Sequence, residues 1–148
     1  METGKQIDIL LIEDNIGDIT LTKKTLSKSK IMNNLTVIQD GDEAIEYLSK
    51  KGKYSEATTP DVILLDLNLP KKSGQEILNE IKSNELTRHI PVVVLTTSKK
   101  EEDILRSYNL HANCFVSKPI DLNQFQEVVS TIEDFWFTIV KLPPKNAQ

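Results

Sequence analysis

The feature that most constrains the fold is a regular alternation of short apolar runs with longer segments of helical periodicity. Five runs are apolar at nearly every position: Ile9–Ile12, Leu35–Ile38, Val62–Leu65, Val92–Leu95 and Cys114–Val116. Such runs are typical of strands that are covered on both faces, and their alternation with helices is typical of repeated βα units. The sequence therefore predicts an α/β fold, a doubly wound five-stranded parallel sheet with helices on both faces.

Helices are predicted between the strands and after the last one. Four of them span about Gly17–Ser29, Asp42–Lys50, Gly74–Ser83 and Lys100–Tyr108. The fifth begins after Asp121, a residue type that often caps a helix, and it ends before the two prolines at 143 and 144.

The length and the charge narrow the class of protein. A chain of 148 residues has the size of one domain, so we expect residues 1–148 to form a single domain with a core over about 7–135 and a helix extension and tail over about 136–148. A net charge of -4 argues against direct DNA binding, and no apolar run is long enough to cross a membrane. The single cysteine, Cys114, suits a reducing cytoplasm.

Polar residues follow four of the apolar runs, where open α/β sheets bind their ligands. They are Glu13, Asp14, Asp66, Thr96 and Lys118. Converging carboxylates are unfavourable unless a cation or a proton lies among them, and oxygen ligands favour Mg²⁺. A carboxylate nucleophile with a metal, a hydroxyl and an ammonium is what phosphoryl transfer to Asp66 requires.

Each residue also has a purely structural interpretation when it is taken alone. Asp14 and Asn15 could cap the first helix instead of binding metal. Thr96 could serve only as a strand former, and Lys118 as a solvated surface charge. Asp66 is harder to explain structurally, because a charge directly after an apolar strand gains nothing from a sheet core.

Several motifs resemble those of the receiver domains of two-component response regulators, over nearly the whole chain. They are the acidic pair in Ile12-Glu13-Asp14-Asn15, the segment Leu65-Asp66-Leu67-Asn68-Leu69-Pro70 with Gly74, the threonine that ends Pro91–Thr96, and Lys118-Pro119. The resemblance implies the flavodoxin-like strand order 2-1-3-4-5. It also implies a stand-alone response regulator that changes shape on phosphorylation and catalyses only its own phosphorylation and dephosphorylation.

The resemblance also implies roles for individual residues. Asp66 would be the phosphoacceptor, and Thr96 and Lys118 would hold the phosphoryl oxygens. The Mg²⁺ ligands would be Glu13, directly or through water, Asp14, Asp66 and the backbone carbonyl of Asn68. The bond before Pro119 would be cis. Phe115 is either the family's switch aromatic, moving with Thr96, or plain core.

Within that family the chain is similar to the small response regulators of bacterial and cyanobacterial phytochrome kinases. The similarity rests on the acidic start through Asp18, the segment Gln39–Ala44, and the aromatic run Phe135-Trp136-Phe137. It implies a sensor histidine kinase as phosphoryl donor and partner, with light as a candidate input. The sequence does not identify the kinase, the target or the phosphoryl lifetime.

Three other functions are consistent with the same architecture. An aspartate-nucleophile phosphatase would carry a second aspartate as general acid where this chain has Asn68. A dinucleotide or flavin module would have a glycine-rich first turn, but Glu13 to Gly17 is acidic and lacks that pattern. A degenerate receiver that acts only as a scaffold is disfavoured because every motif residue is present.

The last predicted helix has more apolar residues than one face of a small sheet can cover. A heptad series is widened by further apolar residues: Leu122, Phe125, Val129, Ile132, Trp136 and Ile139 form the series, and Val128, Phe135, Phe137 and Val140 widen it. Either the extra aromatics fold back onto the domain, or Phe135, Trp136 and Phe137 form the interface of a homodimer.

Overall fold

A single parallel sheet forms the centre of the computed structural model, in which residues 6–29, 32–67, 69, 72–96, 114–118 and 120–127 are described. Its strands are β1 (Ile7–Ile12), β2 (Asn33–Ile38), β3 (Val62–Asp66), β4 (Val92–Thr96) and β5 (Cys114–Ser117). Their spatial order is β2-β1-β3-β4-β5, with every pairing parallel. The predicted class and strand order are confirmed.

The helices described between the strands begin and end within two residues of their predicted bounds, and a side chain caps each N-terminus. They are α1 (Ile16–Ser27), α2 (Gly41–Leu48) and α3 (Gly74–Ser83), and residues 122–127 are also helical. Asn15, Asp40 and Ser73 each accept the backbone N–H of the residue three positions later. Asp121 does the same for Gln124 at 2.7 Å, so the predicted cap of the last helix is confirmed.

The sheet separates two apolar clusters, because alternate strand residues point to opposite faces. On one face Ile9, Leu11 and Leu64 pack with residues of α1 and with Phe125. On the other face a second set of strand residues packs with α2 and α3: Leu10, Ile12, Ile63, Leu65, Val92 and Val94. Both faces of the central strands are buried, which accounts for their unbroken apolar sequences.

Some element boundaries differ from the prediction. β3, β4 and β5 each include one polar residue beyond the apolar run, since ladder hydrogen bonds involve the backbone and do not depend on the side chain. β1 and β2 begin two residues earlier than predicted, at Ile7 and Asn33. α2 ends at Leu48 because Lys50 has a φ of 57°, outside the helical region. The sequence analysis also missed a short 3-10 turn, Gly52–Tyr54.

Two predicted features lie outside the described residues. They are the fourth helix, Lys100–Tyr108, and the apolar series beyond residue 127, including Phe135, Trp136 and Phe137. Among the helices that are described, none combines the length and the apolar character needed to span a bilayer.

Candidate functional site

Four strands end at the same edge of the sheet and bring the predicted site residues together. Glu13 and Asp14 follow β1, Asp66 and Thr96 are the last residues of β3 and β4, and Lys118 follows β5. The ladders pair Asp66 with Leu95 and Thr96 with Ser117, so neighbouring strands end within one residue of each other. Polar side chains at successive strand ends therefore share one edge.

Three carboxylates converge at this edge. Glu13, Asp14 and Asp66 each contribute one oxygen, and these oxygens all lie within 4.8 Å of one another. Glu13 is 1% exposed and Asp66 is 2% exposed, whereas Asp14 faces solvent. Two buried anions next to a third are unfavourable unless positive charge compensates them.

Lys118 supplies part of that positive charge. Its Nζ lies 2.8 Å from Asp66 Oδ1, 2.9 Å from Glu13 Oε1 and 2.9 Å from Asp18 Oδ2. The contact with Asp18 has the geometry of a hydrogen bond. The Lys118 side chain is only 11% exposed, so these contacts are largely shielded from solvent.

Two buried oxygens of the cluster accept no hydrogen bond from any residue that the structure describes. They are Glu13 Oε1 and Asp66 Oδ1, which lie within ion-pair distance of Lys118 but receive no well-directed N–H. Buried polar atoms are normally satisfied, and hard divalent cations such as Mg²⁺ take carboxylate oxygens as ligands. The donor set therefore fits a divalent cation held by Glu13, Asp14 and Asp66.

Burial and the neighbouring charges shift the pKa values of Glu13 and Lys118. Burial raises the pKa of Glu13 to about 7, the negative charge of Asp66 adds to the rise, and the contact with Lys118 opposes it. Burial lowers the pKa of Lys118, but its contacts with Asp66, Asp18 and Glu13 outweigh burial and raise it above the ordinary lysine value. Lys118 is therefore charged at neutral pH, whereas Glu13 takes up a proton readily when no metal compensates it.

The structure separates the roles of Asp14 and Asn15. Asn15 caps α1, because its side-chain oxygen accepts the backbone N–H of Asp18 at 2.9 Å. Its own N–H donates to Glu13 Oε2 at 3.2 Å, which holds the Glu13 carboxylate near the strand end. Asp14 does not cap the helix and belongs instead to the acidic cluster.

Thr96 is linked to Lys118 through the backbone. The N–H of Lys118 donates to the carbonyl of Thr96 at 2.8 Å, and Thr96 is 2% exposed. Because β4 lies between β3 and β5, this burial is compatible both with a strand former and with a role in the site. Hydroxyl and ammonium thus belong to adjacent, hydrogen-bonded strand ends.

Of four further predicted site features, only Phe115 lies within the described residues. Phe115 is partly buried and packs against the cluster formed with α2 and α3, which is compatible with both the switch and the core interpretation. The carbonyl of Asn68, the peptide bond before Pro119 and the interface residues 135–137 lie outside the described residues.

The sequence analysis did not identify the contact that Asp18 makes. An acid in the first turn of a helix has an ordinary explanation in the helix dipole. The contact with Lys118 joins residues that are 100 positions apart, and nothing near Asp18 in the sequence indicates it. The one signal in the sequence was that Asp18 belongs to the acidic segment that begins at Glu13.

Taken together, the site resembles a phosphoryl-transfer centre. Asp66 places a buried carboxylate at the strand end, and the Lys118 ammonium lies 2.8 Å from its Oδ1. Cationic groups beside a nucleophilic carboxylate stabilise the charge that develops on the oxygens of a transferring phosphoryl group.

Comparison with known proteins agrees with this chemistry. Residues 9–130 match the response regulator receiver domain family. The response regulator Rcp1 of Synechocystis sp. is 46% identical over 135 residues, which cover 91% of this chain and 92% of that protein.

Two solved structures share both the fold and much of the sequence. The phosphorylated cyanobacterial phytochrome response regulator RcpA has a TM-score of 0.75 and 46% identity, covering 95% of this chain and 100% of that one. The Mn²⁺-bound form of Rcp1 has a TM-score of 0.71 and 45% identity, covering 93% and 99%.

Proposed function

Since the chain belongs to the response regulator receiver domain family, we propose that it accepts a phosphoryl group on the carboxylate of Asp66 in a Mg²⁺-dependent reaction. The observation that carries this proposal is the contact of 2.8 Å between Lys118 Nζ and the buried Asp66 Oδ1, inside a cluster of three carboxylates. A buried acid with a cationic partner at a strand end suits a nucleophile better than it suits a structural role.

In the proposed step an oxygen of Asp66 attacks phosphorus. The P–N bond of a phosphohistidine on the donor breaks, and the imidazole nitrogen keeps the electron pair and takes a proton from solvent. Lys118 holds an equatorial phosphoryl oxygen through its ammonium, and Thr96 offers its hydroxyl to another. The product is an acyl phosphate, which reverts to the carboxylate when water attacks phosphorus.

The metal ligands would be Glu13, Asp14 and Asp66, completed by the carbonyl of Asn68. Bound Mg²⁺ supplies Lewis-acid compensation of phosphoryl charge. The two buried oxygens that accept no hydrogen bond support this assignment, and so does the Mn²⁺-bound form of Rcp1.

We further propose that the donor is a sensor histidine kinase of the phytochrome type and that the chain works in the cytoplasm as one receiver domain. The identity with Rcp1, over 92% of that protein, supports the type of partner, and the likeness to RcpA does as well. Phosphorylation would draw Thr96 toward the phosphoryl group and let Phe115 turn inward. The chain would not turn over other substrates.

Mass spectrometry after incubation with acetyl phosphate and Mg²⁺ tests the proposal. We expect a single phosphate on the wild-type chain and none on Asp66→Asn or in buffer containing a chelator. Hydroxylamine should remove the label, because it cleaves acyl phosphates. Asp61→Asn, a change of the same kind before the amino end of β3, is the matched control and should be labelled like wild type.

Two results would contradict the proposal. One is a label that survives in Asp66→Asn, which would assign the acceptor to another residue. The other is steady turnover of a phosphate ester such as p-nitrophenyl phosphate, which would favour a phosphatase.

A further inference from the structure

Lys118 has one carboxylate partner that belongs neither to the acidic cluster nor to a strand end. This partner is Asp18, in the first turn of α1. Resting on the proposed function, we propose that Asp18 is a positioning residue that holds the Lys118 ammonium beside Asp66 and keeps it from competing with the cation.

The geometry distinguishes Asp18 from the other two partners. All three carboxylates lie 2.8–2.9 Å from Lys118 Nζ, but only Asp18 Oδ2 forms a well-directed hydrogen bond with it. The Asp18 side chain is 30% exposed, whereas Glu13 and Asp66 are almost fully buried. Asp18 therefore orients the ammonium from its solvent side, and the two buried acids lie on its inner side.

Both ends of this contact are held by the backbone. The N–H of Asp18 donates to the capping oxygen of Asn15 at 2.9 Å, and the N–H of Lys118 donates to the carbonyl of Thr96 at 2.8 Å. A second bond, from Thr25 Oγ1 to the carbonyl of Ile120 at 3.1 Å, also joins α1 to the segment after β5. The ion pair between Asp18 and Lys118 thus joins α1 to the segment after β5. The hydrogen bond from Thr25 already holds these two parts of the chain together.

Lys118 lies within ion-pair distance of two buried oxygens of the acidic cluster. These are Glu13 Oε1 and Asp66 Oδ1, the two buried oxygens without a hydrogen bond. These oxygens suit a divalent cation, with which the ammonium competes, and the hydrogen bond to Asp18 draws the ammonium toward the solvent side of the cluster. Removing the Asp18 charge should therefore let Lys118 bind the inner carboxylates more tightly and weaken the binding of Mg²⁺.

Positioning and simple electrostatics predict opposite effects on the phosphorylation rate. If Asp18 contributed only negative charge, removing it would favour the approach of an anionic donor and raise the rate. If Asp18 orients Lys118, removing it would misplace the group that holds a phosphoryl oxygen and lower the rate.

Calorimetric titration with Mg²⁺ gives a readout that does not depend on phosphorylation. For Asp18→Asn we expect about three- to tenfold weaker binding, the size expected for a partly screened charge. The matched control is Asp42→Asn, which removes an acid from the first turn of α2. It should bind Mg²⁺ as wild type does, and equal losses in both variants would overturn the inference.

The phosphorylation rate is then compared at saturating Mg²⁺ with acetyl phosphate as donor. We expect Asp18→Asn to react about tenfold more slowly. Asp18→Glu, which keeps the charge, should recover most of the rate. If Asp18→Asn reacts as fast as wild type or faster, Asp18 does not position Lys118 and the inference is wrong.

A double-mutant cycle with Lys118→Met shows whether Asp18 acts through Lys118. In the Lys118→Met background, Asp18→Asn should cause no further loss of rate. The same fold loss in both backgrounds would assign Asp18 a role separate from Lys118 and overturn the inference. A wild-type chain that takes no label at all would instead overturn the proposed function, and this inference with it.

Discussion

At the scale of single residues, the backbone beside Asp66 leaves no room for a side chain at Gly74. A Cβ there would lie 2.5 Å from the carbonyl oxygen of Asp66 and 2.6 Å from the Cα of Leu67. The N–H of Gly74 also donates to the carbonyl of Leu67 at 3.0 Å. The start of α3 therefore packs directly on the peptide that follows Asp66.

Gly74→Ala should impair both stability and phosphorylation, because backbone atoms must move to admit the methyl group. We expect a loss of about 1–3 kcal/mol in the free energy of unfolding. We also expect phosphorylation by acetyl phosphate to slow about tenfold, from displacement of Asp66. Urea unfolding and mass-spectrometric labelling measure the two effects.

Gly52→Ala is the control for Gly74→Ala. Gly52 has a φ of 56° and open space around its Cβ position, so alanine there is strained but contacts nothing. It should cost about 1–2 kcal/mol without changing the labelling rate. A labelling rate for Gly74→Ala that matches this control would mean that Gly74 does not position Asp66.

The candidate site residues could be predicted because each follows an apolar run. The rule that parallel strands end at one edge of a sheet is enough to predict that Asp66, Thr96 and Lys118 lie close together. Asp18 could not be predicted in this way, because its contact depends on how close the first turn of α1 lies to the residue that follows β5. Local sequence patterns carry no information about that distance.

At the scale of elements, α3 is the helix whose predicted bounds agree fully with the structure. Ser73 accepts the N–H of Glu76 at 3.2 Å, and Glu76 Oε1 accepts the N–H of Ser73 at 3.0 Å, which forms a capping box. Local residues define the start of this helix, so the sequence contains the information. The end of α2 depends instead on the backbone conformation of Lys50, which its side chain does not indicate.

Ser73→Ala should destabilise the chain by about 1 kcal/mol, because one backbone N–H at the start of α3 loses its acceptor. The free energy of unfolding in urea measures the loss. Ser55→Ala, at an exposed serine after the 3-10 turn, should change it little. If Ser73→Ala and Ser55→Ala have equal free energies of unfolding, the cap does not contribute to the stability of the fold.

Lys82 ties the end of α3 to the segment before β4. Its Nζ donates to the carbonyls of Arg88 at 3.1 Å and Ile90 at 2.7 Å. Burial lowers the pKa of Lys82 to about 8. Between that value and the ordinary lysine pKa the unfolded chain binds a proton that the folded chain lacks, so raising the pH through this range stabilises the folded state.

The prediction concerns the difference in unfolding free energy between wild type and Lys82→Met. Going from pH 7 to pH 10, wild type should gain about 1–2 kcal/mol relative to the variant, after allowance for partial exposure. All other titrating groups cancel in this difference. A difference that stays constant over the range would contradict the lowered pKa.

At the scale of the whole molecule, the sheet is covered on both faces among the described residues, with the candidate site at its edge. This arrangement could be predicted because β1, β3 and β4 are apolar on both faces. How the chain beyond residue 127 assembles depends on packing partners, which apolar periodicity alone does not identify.

The homodimer therefore remains a prediction from the sequence. We expect sedimentation equilibrium to show a dimer of the wild-type chain and a shift toward monomer in Trp136→Ala, which removes the largest aromatic of the predicted interface. Leu86→Ala, at a leucine that is 70% exposed, is the control and should remain dimeric. If the wild-type chain and both variants sediment as monomers at high concentration, with or without a phosphoryl analogue, the predicted dimer does not form.

The hydrogen bond from the N–H of Lys118 to the carbonyl of Thr96 has a mechanical consequence. Any shift of the last peptide of β4 pulls the start of the β5 loop in the same direction. The side chains of Thr96 and Lys118, which would hold different oxygens of one phosphoryl group, therefore move together. Only rotation about their own side-chain bonds changes the distance between them. Deuterium uptake at the Lys118 amide should thus stay slow while the two strand ends move together, and should rise only when this hydrogen bond opens.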